Sequence, residues 1–276
     1  MKRIKDIFDF YINSSIHVAL SVFSMTYVSL LEFNLPTNWN LLFFVFFSTI
    51  TGYNFIKFFG IAKFHHRRLT RKLKIIQEFS LVCFLLMIWF VFQLESETLM
   101  YIGVFGAITF LYTIPFLPKR LFIDHQKNLR EIGGLKVYII GLVWGGVTVL
   151  LPVLDSNQSF DWDVWITAIQ RFVLVMMLML PFEIRDLQYD DLKLATIPQK
   201  IGIRNTKVIG TLLGMVFFAL EFSKEQLTLK LIILTLTIAI ITLLFIVFAN
   251  RNRSNYYSSF WVESIPILWL ILHFVF

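Results

Sequence analysis

The chain has 276 residues, of which 57% are hydrophobic and 16% are charged, and its mean hydropathy is +0.72. Soluble proteins carry about 25% charged residues and need polar side chains to cover their surface, so this composition excludes a water-soluble globule and a disordered chain. The single cysteine excludes an intrachain disulfide. The net charge of +7 is typical of a membrane protein with basic cytoplasmic loops, and we predict no nucleic-acid partner.

Nine stretches of the chain are apolar enough, at about 20 residues each, to cross the hydrocarbon core of a membrane. The stretches are continuous rather than alternating, which favours helices over barrel strands. The predicted spans are 15–31, 41–62, 76–94, 99–117, 136–154, 164–182, 206–222, 229–249 and 259–276. We therefore predict an all-α polytopic membrane protein with a single domain over residues 1–276.

The segment that precedes the first span places Ile4, Ile7, Phe8 and Tyr11 on one helical face, so it is predicted to lie in the membrane interface. Basic residues then alternate between the two sides of the predicted bundle. With the N-terminus inside, the inner segments carry 20 Lys and Arg, whereas the outer loops carry only Lys224 and Lys230. This asymmetry predicts a cytoplasmic N-terminus and an external C-terminus, and we expect the membrane to be a bacterial inner membrane.

The inner end of the second span contains Asn54 and Lys57 within an apolar run. Such residues are costly in a membrane unless they face water or the interior of the protein. One interpretation is an anion site near the inner surface. The other is that Lys57 extends to the lipid headgroups and Asn54 bonds to a neighbouring helix.

The inner end of the fourth span contains Tyr112, two prolines and then the basic pair Lys119 and Arg120. The prolines end the helix and hold the basic pair at the interface. Basic pairs in this position commonly bind lipid headgroups, so this element alone does not identify a substrate site.

The sixth span carries Arg171 well inside its apolar run, about 10 Å from its outer end by helical rise. We predict that Arg171 extends outward to the membrane surface rather than contacting a substrate. Glu78 and Glu263 lie near the inner ends of other spans and are candidates for a shared inner cavity.

The strongest polar element follows the sixth span. If its helix continues, Glu183, Asp186 and Asp190 fall at i, i+3 and i+7 and share one face. Clustered carboxylates favour Mg²⁺, which leaves coordination sites for phosphate. The alternative is a solvated helix in which Arg185 and Lys193 pair locally with the carboxylates.

These inner elements, at the ends of spans two, four and six, resemble the UbiA superfamily of intramembrane prenyltransferases over the whole chain. The segment with Asp186 and Asp190 is similar to the second aspartate-rich motif of that family, and Thr196 and Gly202 resemble its tail. The stretch from Tyr112 to Lys119 and Arg120 resembles its Tyr/Lys element. The resemblance implies a helical bundle around a central cavity that opens to the cytoplasm.

The first aspartate-rich motif of the family is degenerate in this chain. Asn54 matches, but Phe55, Phe58 and Ala62 stand at the positions of its aspartates. Half of the Mg²⁺ ligands that the family usually has are therefore missing. The resemblance implies transfer of an isoprenoid group from a prenyl diphosphate to an aromatic or lipophilic acceptor.

The resemblance implies the following roles for individual residues. Asp186 and Asp190 hold Mg²⁺ with support from Glu183, and Lys57 acts with these two aspartates in catalysis. The residues implied to contact the diphosphate are Asn54, Lys57, Tyr112, Lys119, Arg120 and Arg185. Two other hypotheses remain: a non-catalytic relative that binds an isoprenoid or a membrane partner, and a transporter with Arg171 and Lys57 along its pathway.

Overall fold

The computed structural model describes residues 2–64, 71–113, 134–188 and 196–276, with the backbone alone at 2, 58–64, 71 and 112–113. The secondary structure of the described residues is helical, with short connecting loops and no strand. Its helices are α1 (Lys2–Asn13), α2 (Ile16–Glu32), α3 (Trp39–Phe64), α4 (Arg71–Val91), α5 (Ser96–Thr113), α6 (Leu135–Gly145), α7 (Leu151–Asp155), α8 (Trp162–Asp186), α9 (Ile197–Ala219), α10 (Leu229–Val247) and α11 (Ile265–Val275). The π-helical turns Gly146–Leu150 and Tyr257–Val262 connect α6 to α7 and precede α11.

Every predicted span overlaps helical segments of the described chain, but the number of spans found there differs from the prediction. Within the described residues, seven helices are long and apolar enough to cross a membrane, or eight if the bent pair of α1 and α2 counts as one span. The predicted nine exceeds this count of the described residues by one or two. The reason lies partly in α5, whose described apolar part, Ser96–Leu111, is short, while the predicted span 99–117 continues beyond the described residues.

The first two helices meet at a bend of 53°. Ser15, at the bend, has a φ of 65°, a left-handed backbone conformation that residues other than glycine seldom adopt. The predicted apolar face of α1 is divided: Ile4 and Ile7 point outward, whereas the ring of Phe8 lies 5.0 Å from that of Phe260. The bend thus places one side of α1 against the segment that precedes α11.

Hydrogen bonds between side chains attach α1 to the rest of the bundle, among them one from Lys72 Nζ on α4 to Asp6 Oδ1 at 2.8 Å. The Tyr256 hydroxyl donates to the Asp9 carboxylate, and this bond raises the pKa of Tyr256. Tyr11 Oη lies 2.7 Å from Nδ1 of His17 on α2. The N-terminal helix is therefore attached to the same end of the bundle that contains Tyr256.

Helix α8 lies at the centre of the bundle, and Leu174, Met177 and Leu180 on it are fully buried. Its first turn is capped by Asp161, whose carboxylate accepts a hydrogen bond from the Val164 amide at 2.9 Å. By contrast, α4 turns Leu85 outward, as a helix at the lipid boundary does. The central position of α8 allows its two ends to carry polar side chains into the interior.

Helix α9 approaches its neighbours closely at Gly210 and Gly214, four residues apart. A Cβ atom at Gly210 would lie 2.8 Å from Cγ2 of Ile246 and 2.9 Å from Cδ1 of Leu180. Small residues at this spacing let helices pack closely in membranes. They fix the distance of α9 from α8 and α10.

We expect Gly210→Val to lower the free energy of unfolding by about 1–3 kcal/mol, because its methyl groups overfill the contact with Ile246 and Leu180. The measurement is thermal or denaturant unfolding of the purified protein in detergent. Gly103→Val is the matched control, since a Cβ at Gly103 meets nothing within 4 Å. Equal stability of the two variants would contradict the prediction.

Candidate active site

A cavity of about 630 Å³ opens at the end of the bundle that carries α1, the end predicted to face the cytoplasm. Its walls come from α1, α2, α3, α5, α6, α8, the π-helical turn Tyr257–Val262 and α11. Apolar side chains form most of its wall, among them Ile139, Ile140, Val143, Val175, Leu178, Met179 and Phe182. The charged residues of the described lining are Lys57, Lys136, Arg185, Asp186 and Glu263. An apolar chamber with more cations than carboxylates suits a ligand that has an anionic head and an apolar tail.

Lys57 lies in the wall of this cavity, and its ammonium Nζ donates a hydrogen bond to Ser15 Oγ at 2.8 Å. Ser15 Oγ in turn donates to Asn54 Oδ1 at 2.8 Å. An ammonium has three donors, so Lys57 keeps N–H groups for an anion in the cavity. The bond also fixes the left-handed residue at the α1–α2 bend to the inner end of α3.

Asn54 is buried and does not line the cavity. Its amide nitrogen donates to the Ser14 carbonyl at 2.9 Å and to Ser80 Oγ at 2.7 Å, and its oxygen accepts from Ser15. The side chain therefore joins α3 to α4 and to the bend. Its position does not support the predicted contact with phosphate and agrees with the alternative of a bond between helices.

Arg185 and Asp186 lie together at the end of α8. Arg185 Nε and Nη2 each lie 2.7 Å from Asp186 Oδ1, and Nη1 donates to Ser258 Oγ at 2.6 Å. The guanidinium is also 5.3 Å from the Phe182 ring centroid. Asp186 is thus held by a cation, as in the alternative of a local pair.

The predicted row of three carboxylates does not form within the described residues. Helix α8 ends at Asp186, with a turn at Leu187 and Gln188, and Asp190 lies outside the described residues. Glu183 is buried, and its Oε2 accepts a hydrogen bond from the Ile197 amide at 3.2 Å, at the start of α9. Glu183 therefore bonds to the first residue of α9, and it is not among the residues that line the cavity.

The described residues do not fit the Mg²⁺ site that the fold implies. No group of three or more His, Cys, Asp or Glu side chains that could hold a metal occurs among them, and Asp186 is engaged by Arg185. Tyr112, Lys119 and Arg120 lie outside the residues whose side chains are described, as does Asp190. Their predicted roles stay predictions.

Two charged residues of the lining had no assigned role in the predicted site: Lys136 was not assigned to it, and Glu263 was only a candidate for the inner cavity. Lys136 is the second residue of α6, and its charge alone indicated only an inner loop. The position of Glu263 near an inner span end was the available signal, and the structure confirms that Glu263 lines the cavity. Glu78 does not: it lies exposed on α4, 3.9 Å from Lys74.

A second polar cluster lies in the other half of the bundle, around Arg171. The prediction that Arg171 extends to the membrane surface is wrong, because the side chain is 1% exposed and packs inside the protein. Its Nη2 lies 3.6 Å from Glu32 Oε2 and 3.3 Å from Ser29 Oγ, and its guanidinium stacks 4.3 Å from the Trp269 ring centroid. Glu32 provides the countercharge that makes burial of Arg171 possible.

Buried charges continue from this pair toward the end of α9. Glu221 Oε2 accepts hydrogen bonds from Lys224 Nζ at 3.0 Å, Gln170 Nε2 at 2.9 Å and Thr235 Oγ1 at 3.1 Å. The cluster thus contains the ion pairs Arg171–Glu32 and Lys224–Glu221. It lies apart from the cavity, since Arg171 is not among the lining residues.

The fold and the cavity define an integral membrane protein built as a helical bundle around an inner chamber. No protein-family model and no curated protein sequence matches the chain. Solved structures do. The apo structure of a UbiA homologue from Aeropyrum pernix K1 superimposes with a TM-score of 0.65 and 16% identity, covering 94% of this chain and 98% of that one.

Two further structures share the architecture. A digeranylgeranylglyceryl phosphate synthase has a TM-score of 0.58 at 16% identity, covering 100% of this chain and 98% of that one. A UbiA homologue from Archaeoglobus fulgidus has a TM-score of 0.52 at 12% identity, with the same coverage. The chain therefore has the UbiA fold, and the resemblance predicted from its sequence is confirmed at the level of the fold.

Proposed function

We propose that this protein is a UbiA-type prenyltransferase, which moves an isoprenoid group from a prenyl diphosphate to an aromatic or other lipophilic acceptor. The observation that carries the proposal is the combination, in one apolar cavity, of Lys57, Lys136 and Arg185. The volume of about 630 Å³ lies within the range of small-molecule sites. One fold neighbour is named a digeranylgeranylglyceryl phosphate synthase.

The cavity supports the chemistry in two ways. Ionisation of an allylic diphosphate leaves a carbocation and a diphosphate anion, so the site must neutralise the leaving group and exclude water. Lys57, Lys136 and Arg185 supply positive charge near the opening. The apolar wall around Val175 and Leu178 holds the isoprenoid chain and keeps water from the reacting carbon.

Mg²⁺, the orientation of the termini and a bacterial inner membrane belong to this proposal as expectations. The described residues lack a metal-binding group, so we derive no step through Mg²⁺. Asp190 would have to complete such a site with Asp186. The side chains of Tyr112, Lys119 and Arg120 would add to the diphosphate-binding surface.

Binding of geranylgeranyl diphosphate to the purified protein tests the proposal, with geranylgeraniol as the ligand that lacks the anion. We expect the diphosphate to bind at least tenfold more tightly than the alcohol, and Lys57→Ala to weaken it about tenfold or more, since charge-assisted bonds contribute about 1.5–3 kcal/mol. Asp186→Ala, measured with Mg²⁺ and with EDTA, tests the metal.

Lys200→Ala is the matched control, because Lys200 is exposed at the same end of the bundle and does not line the cavity. Diphosphate binding that is indifferent to both Lys57→Ala and Asp186→Ala would contradict the proposal. Diphosphate binding that is the same with Mg²⁺ and with EDTA would exclude a role for the metal in binding and would leave the basic residues as the diphosphate site.

A non-catalytic isoprenoid-binding protein is the second candidate. Phe55 stands where the family has an aspartate, and Asn54, the one matching residue, is taken up by bonds to Ser14, Ser15 and Ser80. This candidate predicts diphosphate binding without release of inorganic diphosphate. Turnover with any acceptor would exclude it.

A further inference from the structure

Glu263 occupies a special place in the wall of the cavity. It follows directly on the π-helical turn Tyr257–Val262, and its amide donates to the Ser258 carbonyl at 3.2 Å, the five-residue spacing of a π-helix. In an α-helix, residues five apart point about 140° apart, because each residue turns by about 100°. The wider turn instead brings Ser258 and Glu263 toward one side, so that Ser258 bonds to Arg185 while Glu263 lines the cavity.

The two carboxylates of the described cavity lining differ in their partners. Asp186 is engaged by the Arg185 guanidinium at 2.7 Å. Within the described chain, no hydrogen bond or ion pair engages the Glu263 carboxylate. Lys57 and Arg185 lie within electrostatic reach and oppose the cost of burying its charge. Glu263 is thus the carboxylate in this lining that is available to a ligand.

The surroundings of Glu263 match those that an acceptor would need. Pro266, one helical turn further along the chain, also faces the cavity, and Trp144 and Val18 line it as well. The basic residues Lys57 and Arg185 line the same cavity and interact electrostatically with the Glu263 carboxylate. An acceptor placed between the diphosphate and this apolar surface would present its nucleophilic atom to Glu263.

We propose that Glu263 is the catalytic base of this cavity and that the acceptor is a hydroxylated compound. The inference rests on the proposed prenyl transfer. The bond between the allylic C1 and the diphosphate oxygen breaks, and its electron pair leaves with the diphosphate, beside Lys57 and Arg185. The acceptor's hydroxyl oxygen, or a ring carbon activated by it, forms the new bond to C1. The proton that the acceptor loses passes to the Glu263 carboxylate.

The test compares Glu263→Gln with the wild-type protein, using geranylgeranyl diphosphate with hydroquinone or 1-O-octadecylglycerol as acceptor. Prenylated product and equilibrium binding of the diphosphate are both measured. Removal of a general base lowers the rate by about 10²–10⁴-fold. We expect kcat for transfer to fall at least 100-fold, while KM and diphosphate affinity change less than threefold. Glu78→Gln makes the same chemical change outside the cavity and serves as the control.

Each outcome of this experiment decides between possibilities. Transfer that falls less than tenfold in Glu263→Gln would overturn the assignment. An equal loss of diphosphate binding in Glu263→Gln would also overturn it, because Glu263 would then be a binding or folding residue. A wild-type protein that binds the diphosphate but prenylates neither acceptor would overturn it as well. A wild-type protein that fails to bind the diphosphate would overturn the proposed function itself, together with the role of Glu263 in it.

Discussion

Replacing Arg171 with methionine is expected to lower the free energy of unfolding by about 3–5 kcal/mol, the usual loss when one partner of a buried ion pair is removed. Methionine keeps much of the length of the side chain, so the loss comes mainly from charge. The Glu32 carboxylate would remain buried without the Arg171 guanidinium. Its remaining ion-pair partner among the described residues would be His273, whose Nε2 lies 3.7 Å from Glu32 Oε1. The stacking of Arg171 over Trp269 would also be lost. Chemical or thermal unfolding in detergent measures the effect.

A double-mutant cycle separates the ion pair from the packing. Arg171→Met with Glu32→Gln removes both charges, so at least half of the stability lost in the single variant should return. Arg204→Met is the control for a change of Arg to Met at an exposed position. If the free energy of unfolding of Arg171→Met were within about 1 kcal/mol of the wild-type value, the pair would contribute no more than an exposed surface ion pair does.

Replacing Arg185 with glutamine is expected to weaken binding of geranylgeranyl diphosphate by about 100-fold, provided that the cavity is the diphosphate site. The substitution removes a cation, and it also releases Asp186, whose charge would then face the phosphates without compensation. A charge-assisted hydrogen bond contributes about 1.5–3 kcal/mol, and each 1.4 kcal/mol is tenfold in affinity. Isothermal titration in detergent or nanodiscs measures the change.

The companion variants determine which of the two effects dominates. Asp186→Asn in the Arg185→Gln background removes the released carboxylate, so affinity should recover about tenfold if repulsion by Asp186 contributes half of the loss. Arg204→Gln, exposed at the same end of the bundle, should bind as the wild-type protein does. Tight binding by Arg185→Gln would place the diphosphate elsewhere.

The helical spans could be predicted from sequence because each depends on a local run of apolar residues. For Lys57 the sequence left two positions open, because a cation within such a run can face a protein interior or extend to the lipid headgroups, and the structure places it in the wall of the cavity. The predicted and observed span counts differ where the described apolar part of a helix is short, as in α5, or where the chain bends, as at Ser15. The end of a helix and a bend within it depend on backbone conformation, which the hydrophobicity of the sequence does not indicate.

The partners of the polar residues were not predictable from sequence, because they come from distant segments. Asn54 bonds to Ser14, 40 positions away, and to Ser80, 26 positions away, so spacing alone left its role open. Arg171 was predicted to reach the membrane surface from its depth alone, whereas Glu32 on another helix allows it to stay inside. Glu183 was placed in a metal site by helical periodicity, which ends with α8 at Asp186.

The π-helical turn lets the chain hold one extra residue without turning its flanking residues away from each other. Ser258 and Glu263 are five residues apart and are joined by a π-type hydrogen bond. Removing one residue between them would restore ordinary winding and leave them four residues apart, about 40° around the helix. A deletion at this point is therefore expected to keep the carboxylate in the chamber, and related chains of either length could present it there.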